Sequence, residues 1–480
     1  MQTAGTPRSG RVGSLILRVA ALLLLGWGGG AVLPARAGGP ADAVVTVVAL
    51  DDRGTPTCQG LGVVISQGGY ILTSAAIFAQ TPHGVVKTAA GSLHVIRDLV
   101  RRDDLQDLAL VQVEADNFTV PPVRVAPRLA SQEEVAAPET RPPGTLHKGR
   151  VAKTLPLSPR LVLVKLEPES LTGPPGTPLF NRRGELAGML HTFAPDPAAA
   201  PGLLVWLAHS RTHTWREPEL TAGPMPPPIR GCADFWAGVT ASLRQEWPVS
   251  RDKFSAALAL TPNLAEASYG RGVARYHLGD DPGAAADLTA AAGRLPGYAL
   301  AYLWLGKTRD RQRQLAAARQ AYERAAAADP DLAEAWFHLG LLAFQAGRLT
   351  EAQRYLERAG DDVAQGAQRW WYLGVIARSQ QRWDEARRAF NHALTLDPEL
   401  FPAQLDQGKL LLRQLGQPQA AITFLQQAVR LEPRHGPARY YLGLAHAMSW
   451  NPAGAWEQYF ALQEYAPELA VGLAQVLERN

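Results

Sequence analysis

Nucleophilic cleavage of an amide requires a hydroxyl or thiol, an imidazole that takes its proton and a carboxylate that orients the imidazole. The candidates for these roles in the first half of the chain are Thr172, Thr177, His83, His94, His191 and Asp107. Both threonines flank the loop at 171–180, "LTGPPGTPLF", and the sequence implies no base for either. A hydroxyl on a tight turn usually bonds to its own backbone, so we expect neither threonine to be a nucleophile.

Metal and disulfide chemistry have little support. The two cysteines, Cys58 and Cys232, lie far apart in the sequence, and we assign them to different domains. A disulfide needs Cα atoms within about 7 Å, so we favour two isolated buried thiols over a bridge. The chain has no C-x-x-C motif and no His/Cys cluster at ligand spacing, and therefore we expect no metal and no cofactor.

Bulk composition is that of a globular protein. The 480 residues are 46% hydrophobic and 19% charged, which argues against general disorder and allows two or three domains. The 48 Lys and Arg exceed the 44 Asp and Glu by only four, without a basic run interleaved with aromatics. This balance argues against a nucleic-acid partner.

The N-terminus has the pattern of an export signal. Arg8, Arg11 and Arg18 precede an apolar stretch at 19–34, and "ARA" at 35–37 fits a cleavage site. The apolar stretch is shorter than the roughly 20 residues of a membrane span. We therefore predict a cleaved secretory signal at 1–37, with an uncleaved anchor as the alternative, and a periplasmic or secreted bacterial protein without a later membrane span.

Two further regions are separated by a linker. Residues 41–215 contain short β-branched or leucine-rich runs bounded by turn residues, such as "AVVTVVAL", "YILTSAAI", "LALVQV" and "LVLVKL", which predict an all-β barrel domain. The segment 216–230 is dense in proline and suits an extended linker. After it, Ala, Leu, Gln and Arg dominate, which predicts an all-α region at 231–480.

A repeat with a period of about 34 residues organises the second half. Small residues recur at the positions Gly238, Gly272, Gly306, Gly340, Gly374, Gly408 and Gly443. The intervals are all equal except the last, which is longer by one, and prolines and alanines recur at the same period. The alanine series shifts by one position at Ala421, which places an insertion before Gly416. Such a period indicates a solenoid of stacked helical hairpins.

The repeat resembles the tetratricopeptide (TPR) repeat, and "AEAWFHLGLLAFQAGRLTEAQRYLERA" at 333–359 is close to its consensus. We predict seven repeats between about 231 and 467, followed by a terminal helix. The glycines and alanines let two antiparallel helices approach closely. The residues expected to fill the seam between hairpins include Tyr322, Leu356, Phe390 and Tyr459.

The β region resembles the trypsin-like domain of the HtrA family of exported bacterial proteases. Three stretches carry this resemblance: "GLGVVISQGGYILTSAAIF", "DDLQDLALVQV" and "GPPGTPLFNRRGELAGM". The resemblance implies a double β-barrel. It places the general-base histidine at Ala76, the orienting carboxylate at Asp107 and the nucleophile at Pro175. Alanine moves no proton, and proline offers neither a hydroxyl nor an N–H for an oxyanion. We therefore predict a pseudoprotease, with Asp107 holding the neighbouring loop by hydrogen bonds.

The TPR resemblance also implies a concave groove lined by the first helix of each repeat. Groove-facing positions lie six and three residues before the repeat glycine and one, four and five after it. Aromatic and cationic residues at these positions predict a groove for an extended, acidic peptide. The predicted groove residues are Tyr269, Tyr276, Lys307, Arg311, Phe337, Phe344, Trp371, Arg378, Lys409, Arg413 and Tyr440. The alternative is that these aromatics pack between repeats and the cations are merely solvated.

The favoured function is an exported, non-catalytic scaffold for protein interaction. The first alternative is an active HtrA-like serine endopeptidase with a relocated active site, whose TPR array recruits substrate. A weaker alternative is a regulator that occupies the partners of an active relative. In the favoured hypothesis the β domain either binds a peptide edge or is a rigid spacer, and the sequence leaves both open.

Overall fold

The structure is a computed structural model, and it describes residues 40–105, 107–113, 118–124, 126, 133–138, 146–158, 161–167, 174, 176–190, 204–206, 231–360 and 364–478. The predicted signal (1–37) and proline-rich linker (216–230) lie outside the described residues. Among the residues described, no helix has both the length and the hydrophobicity needed to cross a bilayer.

The first barrel contains six antiparallel strands. They are β1 (Val44–Leu50), β2 (Pro56–Val64), β3 (Tyr70–Thr73), β4 (Gly84–Lys87), β5 (Leu93–Asp103) and β6 (Leu108–Val113). Their spatial order is β1-β2-β3-β6-β5-β4, and pairing of β1 with β4 closes the barrel. A 3-10 helix, Ala75–Phe78, follows β3. Valines and isoleucines fill the interior, as expected for β-branched residues on a pleated surface.

The second barrel repeats this topology. Its strands are β7 (Glu134–Pro138), β8 (Leu146–Ser158), β9 (Leu161–Glu167), β10 (Pro178–Asn181), β11 (Leu186–Leu190) and β12 (Leu204–Trp206). Their order around the barrel is β10-β11-β12-β9-β8-β7, closed by β10 and β7. The equivalent strands of the two barrels therefore pair in the same sequence, which confirms the predicted double barrel.

Fifteen α-helices occupy the described residues between 231 and 478. They are α1 (Cys232–Leu243), α2 (Trp247–Leu260), α3 (Ala265–His277), α4 (Asp281–Arg294), α5 (Ala299–Arg311), α6 (Leu315–Ala328), α7 (Ala333–Gln345), α8 (Leu349–Ala359), α9 (Gly366–Ser379), α10 (Trp383–Leu396), α11 (Phe401–Arg413), α12 (Pro418–Leu431), α13 (Gly436–Met448), α14 (Pro452–Tyr465) and α15 (Pro467–Leu477). They form seven helical hairpins and a terminal helix, as predicted.

The repeat glycines allow the two helices of a hairpin to pack closely. A Cβ atom built on Gly374 would lie 2.5 Å from a ring carbon of Phe390, which is fully buried. Gly306 contacts Tyr322 and Gly340 contacts Leu356 in the same way. In the last hairpin, Gly443 faces Leu473 of α15 and the Cβ of Gln458, and Tyr459 packs against the apolar cluster that includes Leu473.

The turns inside the hairpins reproduce the period independently. In each hairpin, one turn residue has a positive φ; these residues are Gln245, Gly279, Arg313, Gly347, Gln381, Gly416 and Trp450. Their spacing equals the repeat period, except that the interval from Gln381 to Gly416 is longer by one. The inserted residue therefore lies in the turn between α11 and α12.

The chain divides into two compact units, one ending at Trp304 and the other beginning at Leu305. The first unit contains both barrels and the first helices. Within it, buried barrel residues such as Leu108, Phe180 and Met189 form one continuous apolar cluster with Phe235 and Trp236 of α1. The first hairpin is therefore part of the hydrophobic core of the barrel unit.

Candidate functional site

Asp107 holds the 3-10 helix that contains Ala76. Its Oδ1 accepts a 2.7 Å hydrogen bond from the backbone N–H of Ala76, and its Oδ2 accepts one of 2.7 Å from the hydroxyl of Ser74. The backbone carbonyl of Asp107 also accepts from the N–H of Ala75. Ser74 and Asp107 are both buried. These contacts agree with the structural role that the sequence predicts for Asp107.

In the turn before β10, a threonine hydroxyl is hydrogen-bonded to the backbone of the same turn. The Thr177 Oγ1 donates a 2.7 Å hydrogen bond to the carbonyl oxygen of Pro174, and Thr177 is fully buried. Gly176 has φ of +79°, and a Cβ there would collide with the carbonyl oxygen of Leu61 on β2. This close approach requires glycine. Pro175 and Thr172 lie outside the described residues.

The histidines of this region have other environments. His94 lies on β5, its ring contacts Phe118 edge-on at 5.0 Å between centroids, and burial lowers its pKa. His83 is exposed in the segment before β4, and its backbone N–H donates to the Thr81 hydroxyl. His191 lies outside the described residues.

Both cysteines are free thiols, which agrees with the absence of a bridge. Cys232 is buried, whereas Cys58 on β2 is only half-buried and packs against the core of the first barrel. Burial, followed by the nearby carboxylates of Asp104 and Asp103, raises the pKa of Cys232 to about 12. The start of α1 therefore lies beside the loop that leads to Asp107. Within the described ranges, no group of three His, Cys, Asp or Glu residues could hold a metal ion.

In the first unit, predicted groove residues border an apolar pocket. Tyr269 helps to line a cavity of about 170 Å³ between α1, α2 and α3, together with Phe235, Val239 and Trp304. The ring of Tyr276 contacts the ring of Trp304 edge-on at 5.2 Å. Phe235 and Val239 occupy groove positions of the degenerate first repeat, so the positional rule finds them once that repeat is included.

In the second unit, Lys307 is paired. Its Nζ lies 2.5 Å from Oε1 of Glu334, a groove-position residue on the next first helix. Burial would raise the pKa of Glu334, but His338 at 3.9 Å and the Lys307 ammonium outweigh it and lower that pKa to about 2. Arg311 lies exposed at the end of α5. Lys307 is thus neutralised within the groove rather than available to a ligand.

The two predicted phenylalanines differ in exposure. Phe337 is 4% exposed and belongs to the core between repeats, which contradicts a role in ligand contact. Phe344 is half-buried and contacts the ring of Tyr372 edge-on at 5.1 Å. Of the two phenylalanines, only Phe344 has exposed surface that a ligand could contact.

A buried carboxylate, Asp406 on α11, binds two predicted groove residues of α9. It accepts hydrogen bonds from Nε1 of Trp371 at 2.9 Å and from Nη1 of Arg378 at 2.7 Å. The Nζ of Lys409 lies 3.8 Å from the same carboxylate. Sequence reasoning missed Asp406 because it lies two residues before its repeat glycine, which is not a groove position.

Arg413 and Tyr441 extend this cluster. The Arg413 Nη1 donates to the Tyr441 hydroxyl at 3.3 Å, and Lys409 Nζ lies 5.2 Å from the centre of the Tyr441 ring. The predicted Tyr440 contacts Tyr441 edge-on and packs toward α15. We call Trp371, Arg378, Asp406, Lys409, Arg413 and Tyr441 the Asp406 cluster.

The Asp406 cluster carries excess positive charge. Arg378 and Lys409 lie against the Asp406 carboxylate and Arg413 lies near Lys409, so the cluster of three cations and one carboxylate has a net charge of +2. Burial lowers the pKa of Lys409, and Arg378 and Arg413 lower it further against the opposing effect of Asp406. An added anion would relieve this repulsion.

Comparison with known families agrees with this architecture. The family model of the trypsin-like peptidase domain matches residues 60–189. Models of the tetratricopeptide repeat match residues 244–299, 303–363, 367–400 and 405–468. A protein from Pseudomonas putida (strain GB-1), named probable periplasmic serine endoprotease DegP-like, is 31% identical over 136 residues. That match covers 27% of this chain and 28% of the relative.

Solved structures resemble one part or the other. YrrB, described as a TPR protein with an unusual peptide-binding site, is 20% identical, with a TM-score of 0.36 over 39% of this chain and 97% of that one. PilF of Pseudomonas aeruginosa is 17% identical, with a TM-score of 0.39 over 45% and 94%. The serine endoprotease from Yersinia pestis is 22% identical, with a TM-score of 0.29 over 35% and 58%.

The chain therefore contains a trypsin-like peptidase domain followed by tetratricopeptide repeats. Stacked helical repeats present extended binding surfaces, and this array supports a protein or peptide partner.

Proposed function

We propose that this protein is a non-catalytic scaffold for protein interaction, in which the TPR array binds the partner and the trypsin-like domain does not cleave it. The observation that carries the proposal is the environment of Asp107. In a working triad this carboxylate orients an imidazole. Here its two oxygens bind the N–H of Ala76 and the hydroxyl of Ser74, and the side chain of residue 76 is a methyl group.

The nucleophile position also lacks the groups that acyl transfer requires. Pro175, at the nucleophile position implied by the HtrA resemblance, has no hydroxyl and no N–H. Loss of the nucleophile or the base alone costs on the order of 10⁶ in rate in such enzymes. The burial of Thr177 and its bond to Pro174 argue against a relocated nucleophile at that residue.

A hydrolysis assay and an active-site label test this part. The purified full-length protein should neither hydrolyse fluorescent casein nor react with a fluorophosphonate probe, and Asp107→Asn should behave in the same way. Stoichiometric labelling of a hydroxyl, or hydrolysis that disappears in Asp107→Asn, would support the active-protease alternative.

The partner we propose for the groove is an extended polypeptide rich in carboxylates. The net charge of the Asp406 cluster favours an incoming anion. Burial first, and then the like charges of Arg378 and Arg413, lower the pKa of Lys409, and an anion would offset the second of these causes. Charge-assisted hydrogen bonds from arginine to carboxylate are among the stronger polar contacts in proteins. The ring of Tyr441, which lies beside Arg413, offers a surface for the apolar parts of such a peptide.

Fluorescence anisotropy with a labelled glutamate-rich peptide tests the groove. Arg413→Glu should weaken binding about tenfold, since it reverses one exposed charge of the cluster. Arg434→Glu is the matched control, because Arg434 is exposed and, among the described residues, pairs with Glu464 alone. Equal binding by the two variants, or equal binding of a lysine-rich peptide, would contradict an acidic partner.

We also propose export to the periplasm. The relative from Pseudomonas putida is named as periplasmic, and the leader at 1–37 has the pattern of a secretory signal. N-terminal sequencing of the protein from a periplasmic extract should begin after Ala37. An intact N-terminus in the membrane fraction would indicate an uncleaved anchor instead.

A further inference from the structure

Two cavities in the second unit are equivalent by the repeat. We call them the outer pockets. The first has a volume of about 630 Å³ and is lined by residues that include Glu323, Trp336, Leu339, Arg354 and Arg358. The second, of about 420 Å³, is lined by the residues one repeat later: Glu357, Trp370, Leu373, Arg388 and His392. The same repeat geometry thus builds a tryptophan-floored pocket twice in succession.

The outer pockets are separate from the predicted groove. Their lining comes mainly from the second helices α6, α8 and α10, and from the positions four and one residues before the repeat glycine on α7 and α9. None of the predicted groove residues lines either of them. A ligand in these pockets would occupy a different face of the helices from a ligand in the groove.

Each tryptophan is held in place by the protein itself. The Trp336 Nε1 donates to the Pro330 carbonyl at 2.9 Å, and the Arg358 guanidinium lies 5.8 Å from the ring centre. The Arg369 guanidinium lies 4.5 Å from the ring centre of Trp370. Arg369 is 3% exposed and donates to the carbonyl of Leu356. The apolar floor of each pocket is therefore preformed, which reduces the entropic cost of binding.

Exposed arginines lie at the rims of both pockets. The first lining contains two arginines and one glutamate, and the rim of the second contains two arginines and two glutamates, since its third arginine, Arg369, is buried. Glu323 already pairs with Arg319 and Glu385 with Arg382. In the described part of the chain, by contrast, no ion pair involves Arg354, Arg358 or Arg388, and all three are exposed.

We propose that the two outer pockets bind one extended segment of a protein partner that carries two apolar side chains, each next to a carboxylate. The apolar side chains would contact Trp336 and Trp370. The carboxylates would bind the arginines at the rims, as charge complementarity requires. This second surface goes beyond the proposed groove and does not depend on it. Two linked anchors also bind more tightly than either alone when the spacer spans the pockets.

The test uses the full-length protein and a labelled probe peptide with two Phe-Glu pairs joined by Gly-Ser spacers of about two to eight residues. At one spacer length, the probe should bind at least about tenfold more tightly than a peptide with a single Phe-Glu pair. It should also bind about tenfold more tightly than the same peptide with Phe-Lys pairs. Equal affinity for the three peptides would overturn the proposal.

Two variants assign the binding to these pockets. Arg358→Glu combined with Arg388→Glu should reduce the affinity at least about tenfold, with an unchanged circular dichroism spectrum because both side chains are exposed. Trp336→Leu combined with Trp370→Leu should reduce it similarly for Phe-Glu and Phe-Lys peptides. The groove variant Arg413→Glu should leave the tighter binding of the two-pair probe over the single-pair peptide unchanged, since only the outer pockets require the spacer. Loss of binding in Arg413→Glu, with the double variants unaffected, would place the probe in the groove and overturn the proposal.

Discussion

The backbone N–H of Ala76 donates a 2.7 Å hydrogen bond to the carboxylate of Asp107. Asp107 itself has φ of +49°, a backbone region that aspartate tolerates better than most residues. Together with the bond from Ser74, this contact fixes the short 3-10 helix to the loop before β6. The aspartate therefore has a structural reason to be present that requires no catalysis.

Replacement of Asp107 by alanine should cost about 3 kcal/mol of unfolding free energy, because the variant loses two hydrogen bonds to a charged group and leaves a buried Ser74 hydroxyl without its acceptor. Urea denaturation followed by circular dichroism measures the loss. Asp98→Ala is the control, since Asp98 is exposed and its ion pair in the described structure is with the exposed Arg97, and its effect should stay within about 0.5 kcal/mol. Equal effects of the two changes would contradict the structural role of Asp107.

The second prediction concerns the Asp406 cluster. The double substitution Trp371→Phe with Arg378→Gln should destabilise the second unit by about 3 kcal/mol, because it leaves the buried Asp406 carboxylate without its two hydrogen bonds. Thermal unfolding measures the change. A peptide-binding assay with this double variant would therefore mix stability with affinity, and for this reason Arg413→Glu is the better probe of the groove.

The triple variant that adds Asp406→Leu provides the control. Removal of the Asp406 carboxylate should recover most of the lost stability, since an apolar side chain is better tolerated in a buried position than a carboxylate that has lost its hydrogen bonds. If the double variant is as stable as the original chain, or the triple variant is less stable than the double, the three side chains do not act as one unit.

Most of the fold could be predicted from the sequence because the glycines of the hairpins and the apolar residues of the strands recur periodically. The spacing of Gly306, Gly340 and Gly374 predicts the hairpins, and the slip before Gly416 predicts the inserted turn residue. Strands with alternating or continuous apolar residues, such as β1 and β6, were predicted. The runs given as strand examples do not include β5 and β8, which carry many charged and polar residues and therefore have a weaker pattern, and pairing across the barrel compensates for it.

Only part of the candidate sites could be predicted from the sequence. The groove-facing positions include Trp371 and Arg378 but not Asp406. The Asp406 carboxylate that joins them comes from another helix, at a position that the TPR pattern does not assign to the groove. The TPR pattern also assigned Phe337 to ligand contact, although the side chain is core. The joint hydrophobic core of α1 and the barrels had no sequence signal, since it depends on tertiary structure.

The third prediction concerns Cys232 and pH. In the folded chain its pKa is raised to about 12, by burial first, whereas an unfolded thiol titrates near 9. Below that value both states hold the proton and the thiol has no effect. As the pH rises from about 9 toward 12, only the unfolded state loses the proton, so stability falls by up to about 1.4 kcal/mol per unit.

Cys232→Ala isolates this effect from other groups that titrate in the same range. Between pH 8 and pH 10.5, the original chain should lose about 2 kcal/mol more unfolding free energy than the variant. Alkylation with iodoacetamide at pH 8 should modify Cys58 before Cys232, since a protonated, buried thiol is unreactive. Parallel pH profiles, or faster modification of Cys232, would contradict the burial of α1 beside the loop of Asp107.

The last prediction uses two helical glycines with opposite surroundings. Gly374→Ala should destabilise the second unit by about 1–3 kcal/mol, because the added methyl would lie 2.5 Å from the buried ring of Phe390, which has no free space to move into. Gly293→Ala, near the end of α4, should instead stabilise the protein by up to about 1 kcal/mol, because its Cβ meets nothing within 4 Å and alanine favours helix. Thermal unfolding of the two variants measures the difference. A shift of the same sign in both would mean that close approach of the two helices is not what the repeat glycines provide.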